Sequence, residues 1–274
     1  MKIGRALASY TVLTLLAMFL FAPFLWMVLV SLQEPKSAIP AFEKLIPENP
    51  AWDNYRFVLF HPNLPVQRFF FNTVFVTVVV VISQLLITSL AAYGFARIQF
   101  KGRNIAFSLF LVAMMFAGPV TQIPVYLMLK GAGWLDTYAA LIVPGISSSF
   151  SVFLLRQFFT QIPRELDEAA RLDGANDLKI YWRVVMPLSR AALATAGAFA
   201  FFATWTDFFN PMIYTNSTEM RTLEVGLSVF KNSYGQNDWP RQMTAAVIVL
   251  IPLFLVFMFT QRYFTKGIAL GSFR

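Results

Sequence analysis

The sequence predicts an all-α integral membrane protein with six transmembrane helices, and two observations carry that prediction. The 274-residue chain is 57% hydrophobic and 13% charged, with 30 Phe and a mean hydropathy of +0.60. A water-soluble domain of this length could not bury so much apolar surface. The charges also bound six charge-free stretches, at 6–33, 69–96, 104–129, 137–155, 191–206 and 242–261. All but the fifth reach the roughly 18 residues needed to cross hydrocarbon.

Each span follows from its neighbours in the chain. The first, 7–32, comes after Lys2 and Arg5, as a signal peptide would. Its apolar run is about twice a signal h-region and no small-x-small cleavage site follows it before Gln33, so it reads as an uncleaved helix. A Pro- and aromatic-rich loop, 33–68, leads to the second span, 69–96. After a basic turn, 97–103, the third is expected at 104–118, because Gly118, Pro119 and Pro124 end it near Ala117, with a broken or re-entrant continuation to Leu129. The fourth is 137–156. The fifth, 188–214, is interrupted by Asp207, and its apolar run resumes through Phe208, Phe209 and Met212 to Tyr214. The sixth is 242–262. The whole chain, 1–274, reads as one domain without internal repeat or low-complexity tract.

Charge sets the orientation. With the N terminus cytoplasmic, fourteen of the 22 Lys and Arg fall on inner segments and eight on outer ones, which favours both termini inside. The formal net charge of +8 is then a topological asymmetry and not a footprint for nucleic acid, since no basic stripe lies on a soluble face. Other chemistries are excluded by residue type. Zero Cys rules out disulfides, thiolate metal sites and a Cys nucleophile, and a single His, His61, cannot build a zinc motif. The Ser147-Ser148-Ser149 cluster has no intramembrane His or Lys partner, so no catalytic residue is expected. There is no G-x-x-x-x-G-K-[ST] loop to hold the phosphates of a nucleotide.

The charged segment 157–187 is too ordered for a linker. Pro163 suits a first helical turn, Glu165, Asp167 and Glu168 sit where the helix dipole favours anions, and Gly174 supplies a left-handed stop. A helix from Pro163 to Asp173 follows, with Asn176 or Asp177 capping a second one. Arg164 with Glu168 and Asp167 with Arg171 are i,i+4 pairs, each worth a few tenths of a kcal/mol. The face Leu166, Ala169, Ala170 and Asp173 is small enough for another protein to approach the backbone closely. Ile180, Val184 and Val185 form an apolar stripe leading into Pro187. Two readings remain open on these residues: a docking helix for a soluble partner, or an amphipathic helix resting on membrane lipid.

A resemblance decides between them. Glu168-Ala169-Ala170, then Gly174 after three residues, then Val184-Val185-Met186-Pro187 after nine more, is similar to the Glu-Ala-Ala motif of membrane subunits of binding-protein-dependent ABC importers. Val184 and Met186 stand where the motif has Ile and Leu, both mild apolar exchanges. Arg156-Gln157-Phe158-Phe159 ahead of Ile162-Pro163, Ala91 to Arg97 before Lys101-Gly102-Arg103, Asp136-Thr137, Trp205 before Asp207-Phe208, and Gln261-Arg262 before Gly267 resemble the carbohydrate-uptake branch and its maltose-type second permease.

That resemblance implies a type I ABC importer permease fold in a prokaryotic plasma membrane, working by alternating access. It implies a second permease subunit, two ATPase subunits that bind ATP and Mg, and an extracytoplasmic solute-binding protein. Glu168, Ala169, Ala170, Asp173 and Gly174 would then make the coupling contact with an ATPase, and Pro187 would stiffen the joint with the fifth span. The cargo would be a di- or oligosaccharide, with glycerol-3-phosphate or another polyol as the alternative. An ion channel or secondary transporter would be expected to carry several intramembrane charges or paired broken helices, and only Asp207 qualifies.

Two further candidate sites come from the residues. Asp207 lies about 28 Å along the fifth helix from Leu188 at 1.5 Å per residue, in the middle to outer half of the bilayer, where an ionised Asp facing lipid is costly, so it should face the bundle interior or a watery cavity. With Trp205 and Asn210 it is a candidate for lining the solute path; the competing reading is a hydrogen-bond cluster at a subunit interface. The outer stretch holding Tyr234, Gln236, Asn237, Asp238 and Trp239 is polar and aromatic, which an ordinary exposed loop would be as well; the resemblance implies that it contacts the binding protein, because the family's second permease inserts a loop there.

Overall fold

A computed structural model describes residues 2–35, 46–62, 64–116, 118–233 and 238–270. Among these residues the fold is all helical, and the chain parts into two compact units, Met1–Arg68 with Leu223–Pro252, and Phe69–Thr222 with Leu253–Arg274.

The first unit contains α1 (Lys2–Ser31), α2 (Asp53–Leu59), the start of α3 (Val66–Arg97), α13 (Leu223–Ser233) and the first part of α14 (Trp239–Leu270). α1 is apolar on every side, and large residues such as Leu13, Phe19 and Leu25 stand exposed along it, as expected of a helix whose solvent is lipid. Its C-terminal carbonyls have no partner within the helix. Asn54 supplies one, donating through Nδ2 to the Ser31 and Gln33 carbonyls at 2.9 and 2.8 Å. Thr244 adds a 3.2 Å bond to the Ser31 carbonyl, and the Ser31 and Tyr55 hydroxyls meet at 2.8 Å. Beside them the Arg241 guanidinium sits 3.6 Å over the Phe57 ring. Burial, with the Arg241 charge second, holds the His61 imidazole below its ordinary value.

The second unit follows the chain through α3, α4 (Arg103–Ala113), α5 (Gly118–Gly131), α6 (Tyr138–Ile142), a 3-10 turn (Val143–Gly145), α7 (Ser149–Gln161), α8 (Glu165–Leu172) and α9 (Asp177–Ile180). A π-helical turn (Tyr181–Val185), α10 (Met186–Leu188), α11 (Arg190–Trp205), α12 (Phe209–Tyr214) and a second 3-10 turn (Thr218–Met220) complete it, with the end of α14. α3 is rich in Val, Ile and Thr, yet it holds a helix because hydrocarbon offers its backbone no other hydrogen-bond partner. Four of its hydroxyls, those of Thr73, Ser83, Thr88 and Ser89, donate to the carbonyl four residues back at 2.5 to 3.0 Å, whereas the buried Thr77 hydroxyl has no partner among the described residues.

Four helices among the described residues are long and apolar enough to cross a membrane: Ser9–Ser31, Val66–Arg97, Tyr138–Gln161 and Trp239–Arg262. A fifth candidate is the pair Asp177–Leu188 and Arg190–Trp205, bent by 82°. The third expected span differs most. α4 ends at Ala113, short of the expected 118, and a new helix starts at Gly118 with Pro119 in its first turn, where proline's missing N–H costs nothing. The fifth expected span is also broken, with 206–208 separating α11 from α12.

Candidate functional site

Two places in the second unit combine exposed or concave surface with unusual polar chemistry. The first is α8, the helix holding Glu168, Ala169 and Ala170. It closes as a Schellman motif: Gly174, at φ 79°, donates to the Arg171 carbonyl at 3.0 Å, and Ala175 donates to the Ala170 carbonyl at 2.9 Å. Asn176 then caps α9, its side chain accepting from the Lys179 N–H at 2.9 Å.

The expected i,i+4 pair between Asp167 and Arg171 gives way to tertiary partners. Arg171 reaches across the turn to Asp177 at 2.8 Å, an exposed pair of small energetic weight. Asp167 turns inward to Arg97 at the end of α3, 3.3 Å away, with side chains only 10% and 3% exposed. Arg97 also donates to the Ile162 carbonyl at 2.7 Å. Arg97 therefore holds both the entry to α8 and its first turn.

Tyr181 adds a second anchor. Its hydroxyl meets that of Ser89 at 2.7 Å, and its ring meets Tyr93 edge-on at 5.4 Å. Both lie in a core of Ala92, Leu155, Phe159, Ile180, Val185 and Ala196, which packs α3, α7, the π-helical turn and α11 together. Beyond Pro187 in α10 the chain breaks at Ser189 and bends by 82° into α11.

The outward face of α8 differs in part from the expected one. Leu166, Glu168, Ala169, Asp173 and Gly174 are exposed, whereas Ala170 is half-buried and packs against the core. Leu172, 90% exposed, and Leu178 extend the apolar part of this surface. One sequence signal could have found the anchor: Ser89, Tyr93 and Arg97 recur every four residues on an apolar helix, so they share one face. All three contact the segment after α7.

The second place is a cavity of about 490 Å³ lined by α3, the 140–151 stretch, α11 and α12, with Asp207 and Asn210 in its wall. Asp207 sits in the break between α11 and α12 and caps α12, its carboxylate accepting the Phe209 backbone N–H, the Asn210 backbone N–H at 3.2 Å and the Asn210 Nδ2 at 2.8 Å. Trp205 is elsewhere. It is buried, stacked on Phe201 at 5.4 Å and edge-on to Phe70 at 6.0 Å.

At the C-terminal end of α12, Asp136 adopts a left-handed backbone, φ 60°, and ties two loops together. Its N–H donates to the Tyr214 carbonyl at 2.8 Å, and its Oδ1 accepts from Asn216 N, Ser217 N and Ser217 Oγ at 2.9, 3.0 and 2.9 Å. The bonds from Ser217 and Asn216 hold this carboxyl below its ordinary value. A depressed folded-state value gives stability that is present above the unfolded carboxylate value of about 3.9 and lost as pH falls through the folded one. Asp136→Asn, which tolerates the same backbone, should therefore melt earlier than the parent at pH 7, with the gap closing below about pH 4. Thermal unfolding in detergent from pH 3 to 8 checks this, and a gap that does not change with pH would contradict it.

Of the expected binding-protein contacts, Tyr234, Gln236 and Asn237 lie outside the described residues. Asp238 accepts from the Arg241 backbone N–H at 3.3 Å and pairs with its guanidinium at 3.1 Å, and Trp239 opens α14.

Comparison with known proteins adds four findings. A family profile described as "Binding-protein-dependent transport system inner membrane component" matches residues 3–270. The trehalose/maltose transport system permease protein MalG of Thermococcus litoralis is 32% identical over 264 residues, 95% of this chain and 94% of its own. The arabinooligosaccharides transport system permease protein AraQ of Bacillus subtilis is 33% identical over 226 residues, covering 82% and 80%. Among solved structures, a bacterial ABC transporter involved in import of the acidic polysaccharide alginate superposes with a TM-score of 0.80 at 26% identity, covering 96% of this chain and 97% of that one.

Proposed function

Because the chain belongs to the family of inner-membrane components of binding-protein-dependent transport systems, we propose that it is one of two permease subunits of an ATP-driven importer, forming half of the path for a di- or oligosaccharide. The observation that carries this reading is α8: an exposed face of small and apolar residues bearing the Glu168-Ala169-Ala170 motif, mounted on the buried Arg97 and Asp167 pair. A helix resting on lipid headgroups has no use for such a mount.

In this reading 1–274 is a single permease domain of six spans in a prokaryotic plasma membrane, with both termini cytoplasmic. The spans are α1, α3, α4 with α5, α6 with α7, α11 with α12, and α14. Segment 157–187, between the fourth and fifth, is the coupling element. Glu168, Ala169, Asp173 and Gly174 meet one of two ATPases, which hold the ATP and Mg. Ala170 packs behind them. An extracytoplasmic binding protein delivers the solute and contacts the outer stretch around Asp238 and Trp239. α1, apolar all round, faces lipid.

Coupling is mechanical. When the ATPases close, displacement of α8 passes as a rigid body through Arg97, Ser89 and Tyr93 into α3, and through the π-helical turn and Pro187 into α11. The 82° bend at Ser189 converts motion along one axis into tilt about another. Asp207 and Asn210 wall the path. Co-purification of the tagged chain in mild detergent, with mass spectrometry and an ATPase assay, tests this. Recovery of an ATPase, a second permease and a binding protein is the expected result; a monodisperse chain without companions would support a channel or carrier instead.

A further inference from the structure

Resting on the permease reading, we propose that the cavity beside Asp207 is a subsite for an uncharged saccharide and that it rejects uronate- or phosphate-bearing ones. Similarity to proteins named for neutral and for acidic saccharides leaves that choice open, and the cavity wall makes it. At about 490 Å³ the chamber is in the range of small-molecule sites. Gln84, Ser147, Ser148, Thr204 and Asn210 bring hydroxyls and amides, which both donate and accept and so match sugar hydroxyls. Phe150 and Phe199, edge-on at 5.3 Å, give the opposing apolar surface. The only formal charge among the described lining residues is the Asp207 carboxylate.

That carboxylate is placed to accept from a ligand. Three N–H donors occupy it, two from Asn210 and the backbone N–H of Phe209, and a carboxylate has about four lone-pair directions, leaving one for a hydroxyl in the chamber. A carboxylate or phosphate on the solute would share the chamber with Asp207 and be repelled in a low dielectric, where charge interactions are several times stronger than in water. Asp207 thus has two linked roles. It caps α12 across the break after α11, and its remaining lone pair binds neutral sugar while its charge excludes anionic sugar.

The test uses the complex co-purified without its binding protein, in nanodiscs, with equilibrium dialysis against labelled maltotriose and trigalacturonate. The parent should prefer maltotriose by about tenfold or more. Asp207→Asn should shrink that ratio, and Ser147→Lys, which adds a cation at an exposed lining position, should shrink it independently should the first variant fail to assemble. Equal binding of the two sugars by the parent, or a ratio unchanged in both variants, would overturn the proposal. Binding of neither sugar by a complex that still hydrolyses ATP would overturn the subsite and spare the permease reading, whereas absence of any ATPase would strike the permease reading itself.

Discussion

Replacing Asp167 with Ala is expected to loosen the coupling segment and abolish uptake, because it leaves the Arg97 guanidinium buried without its counter-charge. Breaking a buried pair from one side costs about 3–5 kcal/mol. The value here should fall near the lower end, since only one 3.3 Å contact joins the two groups, and Arg97 Nε and Asp167 Oδ1 make no further hydrogen bond among the described residues. Thermal unfolding in detergent and tryptic cleavage at Arg164 and Arg171 read the effect directly. A lower melting temperature and faster cleavage are expected. Unchanged values in both would remove Arg97 and Asp167 as the mount of α8.

Gly174→Asp should abolish uptake, by about a hundredfold or more, while leaving the subunit in the membrane at the parent's level. Nothing lies within 4 Å of where a Cβ would stand, so the substitution creates no clash inside the chain. The backbone at φ 79° strains most residues by about 1–2 kcal/mol, but Asp is among the few that visit this region. The fold therefore survives, and what changes is the surface that an ATPase cleft would meet, which gains a carboxylate beside Asp173. Gly174→Asn separates bulk from charge: loss in both variants assigns the effect to bulk, loss in Asp alone to charge. Normal uptake by Gly174→Asp would contradict the docking role.

Much of this was legible before any coordinates. Long charge-free runs mark α1, α3, the α6–α7 stretch and α14 because lipid demands apolar side chains over a whole span and charge ends it. Gly174 announced its cap, and Asn176 or Asp177 that of α9, because left-handed backbone and a short side-chain acceptor are local requirements. Partner choice was not local. Asp167 has a helical neighbour in Arg171 and a partner seventy residues away in Arg97, and burial favours the distant one. The same holds for Trp205, which in the sequence is a candidate for lining the solute path beside Asp207 yet lies against Phe70 and Phe201. The end of α4 at Ala113 was missed because an apolar run carries no signal of where a helix stops inside hydrocarbon, and Gly118 and Pro119 mark the next start. Ala170 turned inward because only three-dimensional packing decides which side of a short helix is covered.

The most direct measurement is a cross-link. The chain contains no Cys, so a single one introduced at Leu172, 90% exposed on α8, reacts without background. In the intact complex, treated with a short bifunctional thiol reagent, Leu172→Cys should join the soluble ATPase, with a yield that changes on adding ATP. The same complex purified with its ATPase but giving no cross-link from this position would contradict the account, because the coupling force would then enter the membrane elsewhere.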